Sequence, residues 1–403
     1  MRSSAALTAD VVIIGGGAAG LSLAHALAAP GRDPLGVLLI DAPDGPLRPS
    51  ARTWCFWEDG EGPYDSAVVA SWRRLRVRGP GGEPVECGLG PLRYKMLPSG
   101  DFERLVAERL AGHPGFRRIR AVAHEVRDTP DGAEVRCVTG GGRALTVRGR
   151  RVYDSRPPAA PPAARTRLLQ HFRGWFVRTG APVFDPDTVE FMDFRVPQPA
   201  HGAAFGYVLP LSPHDALVEY TEFSREPLSR EAYEAALRQY TAEVLGLGDF
   251  TVRASEQGVI PMTDGRFSRR TGRAAFRIGT AGGATRPATG YTFAAAQRQA
   301  GAVARSLRRG EAGAVPAAHS RRALAMDAVL LRALDTGRVD APEFFTGLFR
   351  RLPPERVLRF LDGGTGALED IRIGFATPVR PMLRTALELP FLRRTAGARG
   401  GPG

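Results

Sequence analysis

The chain has 403 residues, 43% of them hydrophobic, which is enough for two or three structural regions around a substantial core. Its seven histidines are scattered, and Cys55, Cys87 and Cys137 lie far apart with no CxxC pair, a pattern that argues against a zinc site and suits a reducing cytosol. The net charge of +13 comes without a nucleic-acid motif and with no apolar run of the roughly 18 residues a transmembrane helix needs, so an anionic membrane surface is the expected partner, not nucleic acid or a bilayer interior.

Asp10–Ile14 reads as a buried parallel strand and Ala18–Ala29 as a helix rich in Ala and Leu. Between them Gly15, Gly17 and Gly20 fit GxGxxG. The first permits a tight turn, the second lets backbone approach a pyrophosphate, and the third lets the helix pack on the strand. The helix N-terminus, at Ala18 and Ala19, offers N–H donors to the phosphates. A second strand, Val37–Ile40, ends in Asp41, 21 positions after Gly20, where a carboxylate can accept ribose hydroxyls. A dinucleotide site is predicted; the alternative is a tight turn in an ordinary βαβ unit.

Further along, Asp101–Ala111 carries Phe102, Leu105, Val106 and Leu110 at helical spacing, and Arg156–Arg165 is a proline-rich crossover. Tyr207–Leu211 and Ala216–Phe223 read as a hairpin around Ser212–Asp215. Alternation puts Leu217, Glu219, Thr221 and Phe223 on one face, and Val218, Tyr220 and Glu222 on the other. One helix is expected near Glu231–Leu245.

Ile278–Ala300 reads as a strand end, a Gly/Thr-rich loop and a helix, with Gly279, Gly282 and Gly283 allowing close backbone approach. Pro287 starts that helix or the turn before it. In flavoproteins of the hydroxylase and reductase type such a late segment returns to the first domain, with its helix N-terminus toward the flavin. The two glycine loops are therefore expected to form halves of one flavin site, the alternative being a turn without a ligand. Thr280 stands where the hydroxylase type usually has Asp.

From Arg321 the chain turns helical. Phe344, Phe345, Leu348 and Phe349 beside Arg350 and Arg351 suit an interfacial helix, and Pro381–Arg394 repeats the mixture; ordinary core helices are the alternative for both. The expected fold is α/β: a Rossmann-like FAD-binding domain of the hydroxylase/reductase flavoprotein type (1–80, 97–165 and 256–315), an antiparallel β-sheet substrate cap (81–96 and 166–255), C-terminal helices facing a membrane (316–395) and a disordered tail (396–403).

The segments ARTWCFWE (Ala51–Glu58), VYDSRP (Val152–Pro157), LLQHFRGW (Leu168–Trp175), VEFMDFR (Val189–Arg195), YVLPLSPHDALVEYTEFS (Tyr207–Ser224), GVIPMTD (Gly258–Asp264) and GGATRPATGY (Gly282–Tyr291) occur in this order. Together they resemble the lycopene β-cyclases of the bacterial, plant-related type, over roughly Asp10 to Leu334. Ala51 departs from the family's usual Asp, and Ala288 from its usual Ser.

The resemblance implies a non-covalent FAD that works reduced, with NAD(P)H as external reductant, while the net reaction transfers no electrons. It implies lycopene and related acyclic carotenoids as substrates, and a peripheral position on the cytoplasmic side of the membrane beside other carotenoid-pathway enzymes. Cyclisation needs an acid able to protonate an alkene, a dry pocket and negative charge near the cation. "Val-Glu-Tyr-Thr" matches the Glu and Thr of the family's acidic segment at Glu219 and Thr221, with Tyr220 in place of a second acid.

Glu219 is the best acid/base candidate, raised in pKa if its face is dry; Asp193 and Glu222 are further candidates, though Asp193 could instead pair with Arg195. Arg52, Thr53, Gly282, Gly283, Thr289, Gly290 and Tyr291 are expected at the cofactor. Trp54, Phe56, Trp57 and Trp175 are expected along a polyene tunnel, where ring faces also stabilise carbocations. A redox flavoenzyme of the same fold, an isoprenoid reductase or monooxygenase, and a non-catalytic carotenoid carrier stay open beside the cyclase.

Overall fold

The computed structural model describes residues 6–29, 35–48 and 50–396. Of the expected disordered tail, 397–403 lie outside the described residues. In chain order, β1 (Leu7–Ile14), α1 (Ala18–Leu27) and β2 (Val37–Asp41) are followed by β3 (Thr53–Asp59), β4 (Ala70–Trp72), β5 (Arg74–Arg78), β6 (Pro84–Gly88), β7 (Leu92–Pro98) and α2 (Ser99–Ala111). Then come β8 (Phe116–Thr129), β9 (Gly132–Thr139), β10 (Ala144–Asp154), β11 (Arg167–Thr179), β12 (Thr188–Asp193), β13 (Ala203–Pro210), β14 (Asp215–Ser224) and α3 (Arg230–Gln239). The chain continues through β15 (Phe250–Thr263), β16 (Ala275–Arg277) and α4 (Phe293–Arg308) to α5 (Arg321–Asp335), α6 (Ala341–Arg351), α7 (Pro354–Leu361), α8 (Ala367–Ala376) and α9 (Val379–Glu388).

β2, β1, β10 and β16 are parallel neighbours, and the first half of β8 joins the outer side of β2. The second half of β8 turns back antiparallel through β9 to β10. Because both faces of the parallel part are covered, β2 is buried at all five positions, a continuous apolar run ending in Asp41. One face packs α1, α2 and α4 through Leu23, Val106, Phe102 and Val303; the other holds Val12, Leu38, Val135 and Val147.

A second sheet runs in the order β15-β11-β14-β13-β12-β5-β6, and β3, β7 and β4 form a small third sheet between the two. β5 belongs to the second sheet although it falls within 1–80: its alternating Leu75 and Val77 are buried in that sheet's core, and it pairs parallel with β12. Likewise β15 stays in that sheet up to Thr263, past residue 255.

The C-terminal helices cover the second sheet. The four large apolar residues of α6 do not face outward: Phe344, Phe345, Leu348 and Phe349 are all buried, with Phe349 and Phe345 against Phe191 and Phe194 of the sheet. An amphipathic stripe has two possible neighbours, core or interface, and here the core takes it. Among the described residues no helix is long and apolar enough to cross a membrane.

Candidate functional site

The first glycine turn lies between β1 and α1. Gly17 is the N-cap of α1 and no side chain caps it, so the N–H groups of the first helical turn are left for a ligand. A Cβ on Gly17 would meet nothing within 4 Å, whereas one on Gly20 would sit 1.9 Å from the Gly15 carbonyl oxygen. The outer glycine is open cradle and the inner one is the close packing of helix on strand.

Asp41 ends β2 beside this turn, and its Oδ1 accepts the Gly16 N–H at 3.0 Å. Its Oδ2 is held by Arg118 at 2.6 Å and Arg120 at 2.7 Å. A ribose hydroxyl at Asp41 would share the carboxylate with these guanidinium groups.

The second glycine loop packs directly on the first. Gly279 has φ of +63°, and a Cβ there would approach the Ala19 Cβ to 2.6 Å. Gly283 ends the short 3₁₀ turn Gly279–Gly282. Pro287 lies in the turn before α4, not in the helix. Hydroxyls of Thr280, Thr285 and Thr292 are linked in series at 2.9 Å, which stiffens the loop. α4 begins uncapped at Thr292, and its first residues Phe293 and Ala294 line a narrow cleft with Cys55, Trp57, Tyr291 and Asp362. The two loops and this cleft thus form one continuous site that could hold a dinucleotide with its far end at the second sheet. Two loop residues look elsewhere: Thr289 donates to the Leu361 carbonyl at 3.1 Å, and Gly290 lies against the half-buried Gln170 side chain, whose buried Oε1 has no partner.

Beyond the cleft stands Glu219, on the face that alternation assigns it: Leu217 and Phe223 share its core, while Val218 and Tyr220 pack on the opposite side. Opposite Glu219 in the ladder are Tyr207 on β13 and Gly174 on β11, and opposite Gly174 is Glu256 on β15. With no side chain at Gly174, two carboxylates share one buried patch. Burial first, and the like charge of Glu256 second, push the Glu219 carboxyl up to about 8, against the Thr221 hydroxyl that donates to Oε1 at 2.5 Å. Burial also raises Glu256, but Thr53 donates to it at 2.8 Å and the charge of Arg52 opposes the shift. Glu219 therefore holds the proton more firmly of the two.

β3 and β7 roof the patch with Cys55, Trp57 and Tyr94. The Tyr94 and Tyr207 hydroxyls are hydrogen-bonded, and burial lifts both phenols well above their ordinary range, so they remain neutral donors. Tyr291 stacks edge-on against Trp57 with ring centroids 4.6 Å apart, joining the second loop to this roof.

Several expected residues lie apart from Glu219. Asp193 is buried on the α3 side of the sheet, bound by Arg195 and by the Tyr240 hydroxyl at 3.0 Å. Glu222 is also on that side, accepting from Tyr220 at 3.2 Å with His171 beyond. Trp175 faces the same way and packs near Phe250. Trp54 and Phe56 alternate away from Cys55 and Trp57 and stack on Phe293 in the core of the first domain. Of the four aromatics Trp57 reaches the Glu219 patch, and Phe56 lines the narrow cleft beside it.

Sequence reasoning missed Glu256, Tyr94 and Cys55. Glu256 is the one buried position in the exposed run Thr251–Gln257, so β15 shows no alternation to reveal it. Its signal was nearness to the GVIPMTD segment two residues on. Among the described residues no cluster of His, Cys, Asp and Glu is arranged to hold a metal ion.

The fold is shared with flavoprotein monooxygenases and reductases. A geranylgeranyl bacteriochlorophyll reductase-like protein from Thermoplasma acidophilum is 14% identical with a TM-score of 0.61, covering 94% of this chain and 99% of its own. A flavoprotein/dehydrogenase from Cytophaga hutchinsonii (13%, TM-score 0.58, 95% and 99%) and p-nitrophenol 4-monooxygenase from Pseudomonas putida (13%, 0.56, 96% and 99%) are likewise similar in fold. No curated protein matches the chain significantly by sequence. The lycopene cyclase protein family matches residues 10–387, nearly the whole chain. The chain belongs to the lycopene cyclase family.

Proposed function

We propose that the protein is an FAD-dependent lycopene β-cyclase that closes β-ionone rings at the acyclic ends of lycopene, giving γ-carotene and then β-carotene, with no net electron transfer. The observation that carries this reading is Glu219: a buried carboxyl that keeps its proton near neutral pH, beside a second carboxylate and under a roof of aromatic rings. Such a group suits protonation of a terminal double bond in a space free of water. The pi electrons of the neighbouring double bond then attack the cation, closing the ring, and loss of a ring proton to an ionised carboxylate restores neutrality. One proton enters and one leaves, so product and substrate are isomers.

Glu256, oriented by Thr53, supplies negative charge beside the cation. The rings of Trp57 and Tyr291 add π-face stabilisation and exclude water. Thr221 holds one oxygen of Glu219, which leaves Oε2 to carry the proton.

The open Gly17 turn, the uncapped starts of α1 and α4 and the shared cleft fit FAD, as does the flavoprotein fold. Gly17, Ala18 and Ala19 would receive its pyrophosphate, Asp41 its ribose, and Gly282, Gly283 and the first turn of α4 its ring system. When bound and reduced, FAD would supply anionic charge to the site; NAD(P)H is the proposed electron source.

The test is incubation of lycopene with the protein and FAD under anaerobic reduction. A cyclised product of unchanged mass supports the cyclase. A mass raised by hydrogen would instead identify a reductase of the same fold, and a mass raised by oxygen in a parallel incubation in air with NADPH a monooxygenase.

A further inference from the structure

α8 and α9 carry a row of large apolar side chains in the open. Leu368, Ile371 and Phe375 follow one another at helical spacing on α8; Val379, Leu383 and Leu387 do so on α9, and Phe391 continues the row just beyond it. Phe375 is 76% exposed and Phe391 86%. Few other large apolar residues are so exposed, and none elsewhere forms such a row among the described residues.

The inner faces of these helices are anchored: Ile373 is buried in the main core, Met382 packs against it and Thr385 is fully buried. The outer row is therefore displayed on fixed helices.

Charge sorts by face in the same segment. All three acids are held by arginines of neighbouring elements: Glu369 by Arg359, Asp370 by Arg322, and Glu388 by Arg332 and Arg338. The exposed cations Arg372, Arg380, Arg384 and Arg393 have no ion-pair or hydrogen-bond partner among the described residues. Arg380 and Arg384 are one helical turn apart and flank Leu383 and Leu387 along one edge.

From this we infer that the α8–α9 face docks on an anionic lipid bilayer, with the apolar row entering the acyl boundary and the arginines reaching the headgroups. The free cations select a lipid surface over a second copy of the chain, whose own arginines would repel them across a symmetric contact. The inference stands on this surface alone and does not depend on the cyclase reading.

The test is co-sedimentation with phosphatidylcholine vesicles and with vesicles containing phosphatidylglycerol, without substrate. The expected result is binding that favours the anionic vesicles and weakens with salt. A Phe375→Ser/Leu383→Ser/Phe391→Ser variant should lose affinity for both vesicle types, and Arg380→Gln/Arg384→Gln about tenfold for the anionic ones. Unchanged binding by both variants would overturn the assignment. So would an absence of vesicle binding with a dimer in light scattering that the serine variant dissolves. Since these side chains are exposed and Glu219 is buried, both variants should cyclise detergent-dispersed substrate like wild type, which separates failure of this inference from failure of the proposed reaction.

Discussion

Glu219 and Glu256 face one enclosed space, and the strand between them contributes only Gly174 at that height. The like charge of Glu256 favours a protonated Glu219 over two ionised groups, and the arrangement follows from one missing side chain. A Cβ at Gly174 would stand 2.8 Å from Leu217 Cδ1 and 3.5 Å from Glu219 Cβ. Gly174→Val should cost about 1–3 kcal/mol of stability through overpacking and abolish cyclisation, read by denaturant unfolding and product formation. Full activity in this variant would remove the paired-carboxylate account.

The raised pKa of Glu219 makes a signed prediction about stability. A carboxyl that holds its proton more tightly folded than unfolded loses stability for the protein as pH rises from its ordinary value of 4.5 to about 8, and no further above that. Glu219→Gln keeps the Thr221 bond and has no charge to bury. The variant should match wild type near pH 4.5 and be more stable by on the order of a few kcal/mol at pH 8–9. Melting temperatures of the two proteins across this range decide it; parallel curves would contradict the shift.

Glu256 is the second-largest cause of that shift. Glu256→Gln should lower the Glu219 pKa and move the alkaline limb of the activity profile to lower pH. It should also reduce the maximal rate, since charge beside the cation is lost. A limb that stays in place would mean the two carboxylates do not interact.

Glu219 was legible because strand alternation sets it on one face with Leu217, Thr221 and Phe223, although β14 is buried on both faces from Ala216 to Phe223. Both glycine turns were legible for a similar reason: their backbone demands are written in adjacent residues. What adjacency cannot carry is cross-strand register. Glu256 enters the patch through β11, and Tyr94 and Cys55 through a separate small sheet, so no local pattern links them to Glu219. The same limit applies to Trp54 and Trp175, whose sides depend on which sheet packs above them. Helical amphipathicity is equally silent on what it faces: α6 turns its phenylalanines to the core, while α8 and α9 leave large apolar residues outside.

Asp193 is predicted to act on stability and not on chemistry. Asp193→Asn removes the carboxylate that binds Arg195 and Tyr240, leaving a partly buried cation unpaired. A loss of about 3 kcal/mol is expected, with turnover per folded molecule unchanged. Equilibrium unfolding alongside activity normalised to folded protein tests this.

Gly279→Ala should separate the two glycine loops, because its positive φ disfavours a side chain and the added Cβ would press on Ala19. The expected result is purified protein with reduced flavin content and weakened FAD rebinding, while the second sheet and its Glu219 patch remain folded.

The most direct measurement of the central claim is conversion of lycopene in liposomes, with FAD, by wild type and Glu219→Gln, with and without anaerobic dithionite. The account predicts products of the same mass as lycopene, formed by wild type only with reduced flavin and absent from the variant. Conversion at the wild-type rate by Glu219→Gln would contradict it and assign the proton to another group.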